Sequence, residues 1–270
     1  RHVTCGIPQG SILGPLLFLL YINDLPECLQ KATPRLFADD TNLTVAGESI
    51  EEVELAMNDD LHCVHKWMLA NKLSLNSSKT EFLLIGSNHR LKNLIIQPNI
   101  KIDQDKIKQV YDSRLLGVQI DEKLTWNKHV EDVAKKATSG VGAIRRIRDF
   151  VDRETLISIY NALVRPHFEY CSEVWDTLGI GLSTRLQKLQ NRAARIIMGM
   201  KNDIPALEAI TALGWETLES YRAKSKAVQM YKVLNDLAPN SLVNLFTRKS
   251  DITDHELRGS STSLQMPLPR

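Results

Sequence analysis

The 270 residues are 43% hydrophobic and 24% charged, with 13 Gly and 10 Pro. That balance excludes a collagenous, wholly coiled-coil or wholly disordered chain, and the length suffices for one large domain or two modest ones. The formal net charge of +2 does not by itself argue for nucleic acid, but Lys128 to Lys232 holds 17 Lys/Arg against 12 Asp/Glu, which suits either a polyanion partner or a solvated helical surface.

In chain order, residues 6–10 (G-I-P-Q-G) precede an apolar run, Ile12 to Ile22. The run is far short of the roughly 20 residues that a membrane span needs. It lacks the basic start and small-residue exit of a signal peptide, so it reads as a buried helix and implies no membrane partner. The helix is expected from Ser11, a plausible N-cap, to about Gln30, with Pro15 early, where proline is tolerated best. Pro34 to Ala46 places two short apolar stretches around Asp39-Asp40, which predicts a β-hairpin with both carboxylates at or near its tip. Ser49 to Asn71 has helical apolar spacing, and Ser49 with Glu52 forms a capping-box pattern. Thr80–Gly86 reads as a strand, as do Leu94–Ile96, Ile100–Ile102 and Tyr111–Ile120.

From Trp126 the period becomes helical. Helices are expected over 128–150, where Gly140 and Gly142 are candidate interruptions, and over 153–165, ended by Pro166. Two more follow over 182–200 and 215–237. The expected class is α/β of the α+β kind, strand and helix mixed to about residue 125 and helix alone after it. Beyond Thr247 the chain is polar and expected to be disordered. The cysteines Cys5, Cys28, Cys63 and Cys171 lie far apart without a C-x-x-C spacing. They argue against a disulfide scaffold and a Cys-type zinc site, and for a reducing compartment, nuclear or cytoplasmic.

Adjacent carboxylates at a sheet centre would be costly, whereas at a hairpin tip Asp39 and Asp40 can share a divalent cation. Their hard oxygens favour Mg²⁺ or Mn²⁺ over Zn²⁺. A solvated Asp-Asp turn is the plain alternative. Arg145, Arg146 and Arg148 close one helical segment, and Arg185, Lys188, Arg192 and Arg195 form one helical stripe. Trp126, Trp175 and Trp215 read as core anchors in preference to base-stacking platforms.

The flanks of the Asp pair favour its metal-binding reading, while for any single Arg or Lys of the helical stripes a solvated face is the plainer reading. F-A-D-D-T, residues 37–41, resembles the [YF]-x-D-D signature of reverse transcriptases. G-I-P-Q-G-S-I-L-G-P-L-L-F-L-L-Y-I-N-D-L, residues 6–25, resembles the motif that precedes it in non-LTR (LINE-type) retrotransposon reverse transcriptases. Residues 67–86, with Asn76 and Lys79-Thr80, resemble the family's next palm motif. L-L-G-V, residues 115–118, is similar to the segment leading into the primer grip and thumb. Residues 160–175 and 186–197 are similar to the post-palm helices of jockey-like elements.

The resemblance implies a partial polymerase palm, an antiparallel sheet with helices, over 1–125. It implies a helical thumb-like region over 126–246 and a disordered tail over 247–270. It implies RNA-directed DNA synthesis by two-metal nucleotidyl transfer, with Mg²⁺ or Mn²⁺ as cofactor and an RNA template, a DNA primer and dNTPs as partners. Asp39 and Asp40 would be catalytic metal residues, Asp40 the less direct. Lys79 would protonate or stabilise the leaving pyrophosphate. Gly6, Pro8, Gln9, Gly10 and Phe37 would shape the nucleotide and template floor. Arg145, Arg146, Arg192 and Arg195 would contact the nucleic-acid backbone.

One departure bears on activity. The two-metal reaction needs a further aspartate, which in the family lies upstream of G-x-P-Q-G, and nothing in residues 1–36 supplies it. The chain opens on Arg1 and ends in M-P-L-P-R, so both ends read as cut, and the fragment alone is expected to be inactive. The competing reading is a decayed, non-enzymatic remnant that at most binds nucleic acid. A Mg²⁺-dependent hydrolase built on Asp39-Asp40 ranks last, since no second carboxylate cluster lies nearby in sequence.

Overall fold

The computed structural model describes residues 10–76, 78–94, 96–201 and 203–247, together with 249, 252 and 264. The chain divides into two compact units, residues 1–113 with 121–124, and residues 114–120 with 125–270.

The first unit opens on helix α1, Gly14–Ile22, with Pro15 in its first turn and no side-chain cap. The helix is shorter than the sequence suggests at both ends. A 3-10 turn, Leu25–Cys28, follows instead of further α-helix. Pro26 explains the stop, because it has no N–H to give and its ring would clash with the carbonyl of residue 22. The expected hairpin is present: β1, Thr33–Phe37, runs antiparallel to β2, Asp40–Thr44. Helix α2, Ile50–Ala70, is capped by Ser49, whose hydroxyl accepts from the Glu52 N–H at 3.1 Å. The reciprocal half of the box is shifted by one residue, since the Glu52 carboxylate accepts from the Glu48 N–H at 2.9 Å.

Strand β3, Glu81–Leu83, precedes a short helix α3, Asn88–Lys92. Then come β4, Lys101–Ile102, β5, Asp105–Lys106, and β6, Lys108–Val110. β4 pairs antiparallel with β5, and β6 pairs parallel with β3. The strand expected over 94–96 does not form at Leu94 or Ile96, and residue 95 lies outside the described residues. The single strand expected over 111–120 is a hairpin of β7, Asp112–Leu115, and β8, Val118–Asp121. Its two turn residues have positive φ, Leu116 at +45° and Gly117 at +86°, as a tight two-residue hairpin turn requires. Among the described residues the strands pair two by two, and the expected sheet is not continuous. The unit's cores are correspondingly small. One gathers Leu61, Ile100, Ile102 and Ile107, and the other Ile22, Leu25 and Val64.

The second unit is helical: α4, Asn127–Ile147; α5, Arg153–Leu163; α6, Arg165–Glu169; and α7, Ser172–Trp175. These are followed by α8, Ile180–Met198; α9, Ala206–Ala212; α10, Leu218–Leu234; and α11, Asn240–Val243. Val130, Ala137, Val141 and Ile144 form the buried stripe of α4, at the helical period. They join Leu156 and Tyr160 of α5, Phe168, Trp175 and Leu186 in one large core. Trp126 and Trp175 are buried in it, and Trp215 stacks on Tyr160 with ring centroids 4.1 Å apart. Gly140 does not interrupt α4. A Cβ there would lie 2.6 Å from Val164 Cγ2 and 3.0 Å from the Leu163 carbonyl oxygen, so glycine lets the end of α5 approach closely. Pro166 sits in the first turn of α6, after α5 has ended at Leu163. Gly199, at φ +66°, closes α8 in the left-handed conformation.

Candidate active site

The hairpin turn consists of Ala38 and Asp39, with Phe37 and Asp40 as the last cross-strand pair. Ala38 has φ +50°, a conformation that a two-residue connection imposes at some cost for a residue with a Cβ. Asp39 stands at the tip and Asp40 begins β2, and both are exposed. Phe37 is 63% exposed, so this end of the hairpin presents a ring and two carboxylates to solvent. Among the described residues no group of three or more His, Cys, Asp or Glu converges as a complete metal site. The two carboxylates do fit a divalent cation by donor type: Mg²⁺ commonly takes one or two carboxylates and keeps several waters.

Gly10 is exposed, has φ +85°, and carries open space where a Cβ would be. Gly6, Pro8 and Gln9 lie outside the described residues.

Lys79 is exposed in a turn built by Asn76. Asn76 Oδ1 accepts from the Ser78 hydroxyl at 2.7 Å and from the Lys79 N–H at 3.2 Å. The Asn76 carbonyl accepts from the Thr80 hydroxyl at 3.0 Å. Asparagine mimics a backbone turn in this way, which gives the N-x-x-K-T pattern a local physical meaning: it sets Lys79 just ahead of β3.

In the second unit Arg145 and Arg146 are exposed in the last turn of α4, and Arg192 is exposed on α8. Arg195 is half-buried, and its Nε and Nη2 donate to the Ile204 carbonyl at 3.3 and 2.9 Å. That guanidinium ties the end of α8 to the segment before α9.

Sequence reasoning missed two buried charges. Asp60 of α2 accepts N–H bonds from Gln30, Lys31 and Ala32. Burial pushes its carboxyl up, but these bonds outweigh burial and hold it below the usual carboxylate range. The signal was its spacing: Ala56, Asp60 and Val64 fall four apart on the buried face of the helix. Arg222 of α10 donates to Asp176 at 2.5 Å and to the Ser183 hydroxyl at 2.7 Å, with its guanidinium 5.9 Å from the Trp175 ring. Burial raises the Asp176 carboxyl, and Lys226 and Arg222 more than compensate.

Residues 1–120 match the family model for reverse transcriptase (RNA-dependent DNA polymerase). They belong to the reverse transcriptase family. The relatives that follow are named as RNA-directed DNA polymerases of mobile elements or as a Pol polyprotein of a type-1 retrotransposable element. The chain is 27% identical over 206 residues to a probable RNA-directed DNA polymerase from transposon X-element of Drosophila melanogaster, covering 74% of this chain and 22% of that protein. It is 30% identical over 176 residues to a retrovirus-related Pol polyprotein from the type-1 retrotransposable element R1 2 of Nasonia vitripennis, covering 63% and 43%. It is 24% identical over 210 residues to the RNA-directed DNA polymerase from mobile element jockey of Drosophila funebris, covering 73% and 22%. The chain thus spans about a fifth of the length of most of these relatives. No solved structure matches it.

Proposed function

We propose that this chain forms part of the catalytic region of an RNA-directed DNA polymerase of a non-LTR retrotransposon. The first unit serves as part of its palm and the second as its thumb. The observation that carries the reading is F-A-D-D-T folded as a hairpin tip with both carboxylates in solvent, inside the residues that match the family.

In this reading Asp39 and Asp40 would hold Mg²⁺, which when bound would supply activation of the primer hydroxyl and charge neutralisation at the triphosphate. The primer 3′ hydroxyl gives its proton to solvent, its oxygen forms a bond to the α-phosphorus of the dNTP, and the bond to pyrophosphate breaks. Lys79 gives the departing pyrophosphate a proton or a compensating charge. Gly6, Pro8, Gln9, Gly10 and Phe37 line the nucleotide and template base, and glycine lets backbone approach closely. Arg145, Arg146 and Arg192 neutralise backbone phosphates of the primer–template, a term that weakens with salt, while Arg195, held by the Ile204 carbonyl, braces the end of α8. In this reading a further aspartate completes the metal site, and the acids of residues 1–36, Asp24 and Glu27, are not expected to supply it.

The test is primer extension on an RNA template with Mg²⁺, in a polymerase that holds these residues together with the remaining metal ligand. Asp39→Ala is expected to abolish synthesis with an unchanged melting temperature, since the side chain is exposed. Retained synthesis overturns the reading. Salt-dependent binding of RNA or DNA without any synthesis, in the unmutated protein, favours the non-enzymatic remnant instead.

A further inference from the structure

The hairpin that presents Asp39 contains β1 and β2 alone among the described residues. A two-stranded hairpin is marginal in water and needs outside support. Part of that support is apolar: Leu36 and Leu43 pack against the cluster of Ile22, Leu25 and Val64. Such packing is non-directional and does not by itself fix where the tip stands.

The directional restraint comes from α2. Asp60 Oδ1 accepts from the Gln30 N–H at 3.0 Å, and Oδ2 accepts from the Lys31 N–H at 2.9 Å and from the Ala32 N–H. Three successive backbone donors aimed at one carboxylate make an anion-holding concavity, filled here by the protein's own side chain. Thr33, the next residue, begins β1. Asp60 is only 1% exposed, and among the described residues it is the one first-unit member of the largest side chains under 2% exposed. The Lys31 ammonium sits on the neighbouring Asp59 at 2.9 Å, at the surface, so the hydrogen bonds to Asp60 come from backbone. A buried carboxylate is tolerated only when so satisfied.

We infer that Asp60 is a positioning residue for Asp39: it clamps the base of the catalytic hairpin to α2 and so fixes where the tip carboxylates stand. The inference rests on the polymerase reading above. Groups that orient metal ligands from behind typically carry about 10–100-fold in metal affinity or activity.

The experiment compares Asp60→Asn, Asp39→Ala and Asp59→Ala in the complete polymerase, by Mg²⁺ titration of primer extension and by residue-resolved hydrogen exchange. Asparagine keeps one acceptor oxygen and turns an NH₂ toward a backbone N–H. The expected result is a fall in kcat and a rise in half-saturating Mg²⁺, each about 10-fold or more. The amides of residues 30–44 are expected to lose protection while those of α2 keep theirs. Asp59→Ala is expected to leave rate and Mg²⁺ requirement unchanged. A folded Asp60→Asn with an unchanged Mg²⁺ requirement overturns the inference, even where the rate falls with the amount of active protein. So does loss of protection that spreads through α2, which marks a general destabiliser. Full activity in Asp39→Ala sinks the polymerase reading first, whatever Asp60 does. Should Asp60→Asn not fold, two measurements replace it. Asp60→Glu, with its arm longer by one methylene, is expected to raise the Mg²⁺ requirement. In the unmutated protein, amides 30–32 exchanging as fast as free peptide would refute the clamp.

Discussion

The two units solve the problem of holding a shape differently. The second buries Trp175, Tyr160, Phe168, Ile144 and Leu186 in one core drawn from several helices. The first has strand pairs of two to five residues, two small apolar clusters, and a carboxylate as its most enclosed large side chain. Its apolar helix α1 leaves Leu16, Leu19 and Leu20 exposed. Position in the first unit is therefore set more by directed hydrogen bonds, and in the second more by volume. The teaching point is that the exposed pair Asp39-Asp40 sits on the lightly packed unit, whose geometry depends on a few polar contacts with partners that a hydrophobic pattern does not name.

Substitutions sharpen this contrast. Trp175→Ala removes a side chain 0% exposed whose Nε1 donates to the Tyr170 carbonyl at 2.9 Å. It is expected to destabilise the second unit by about 3–5 kcal/mol, measured by denaturant unfolding. A smaller loss would mean that the core is less continuous than its contacts imply. Gly140→Ala, normally favourable in a helix by about 1 kcal/mol, is expected to cost about 1–3 kcal/mol here, because the methyl meets Val164 and the Leu163 carbonyl. A more stable variant would break the argument for close helix approach. In the first unit, Ser49→Ala removes a cap and is expected to cost about 1 kcal/mol, read from the thermal melt of α2.

Acid distinguishes the units as well. His129 is buried against Trp175, ring centroids 5.2 Å apart, and its Nδ1 accepts from the Gln119 N–H at 3.3 Å. Burial is the main reason its pKa falls below the ordinary 6.5. The unfolded chain then takes up a proton before the folded one does. The stability that this group contributes is full above pH 6.5 and is lost as pH falls toward its lowered folded value. The second unit is expected to weaken in that window, and His129→Gln to flatten the response in a pH series of melting curves. Asp60 works in the other range: its carboxyl lies below the ordinary 3.8, so its contribution persists above that pH and fades below it. The smallest effect belongs to α1. Leu20→Gln is expected to shift stability by no more than about 0.5 kcal/mol, because the side chain is 68% exposed. A large drop would show that α1 is covered in solution.

Much of the architecture was legible locally. The spacing of Ile50 to Trp67 announced α2, and Ser49 its start, because a cap and an apolar stripe are short-range properties. Asp39-Asp40 at a hairpin tip was legible from two apolar flanks around an acidic pair. Pro26 makes α1 shorter than its apolar pattern implies. Leu116-Gly117 read as part of a motif hid the turn that splits β7 from β8, since a leucine at φ +45° is not a usual turn signal. Gly140 looked like a helix break because sequence alone does not show which neighbour presses on it.

The sequence by itself determined the long helices α2, α4, α5, α8 and α10, the hairpin that carries Asp39 and Asp40, and the likeness to reverse transcriptases, since these rest on neighbours along the chain. Only the tertiary structure decided which partners the enclosed polar groups meet. Asp60 meets Gln30, Lys31 and Ala32 across 28 to 30 residues, Arg222 meets Asp176 across 46, and Arg195 ties to Ile204 across 9. A buried charge is tolerable only where folding brings its partners to it, and that meeting is a property of the packed chain that composition and period do not encode.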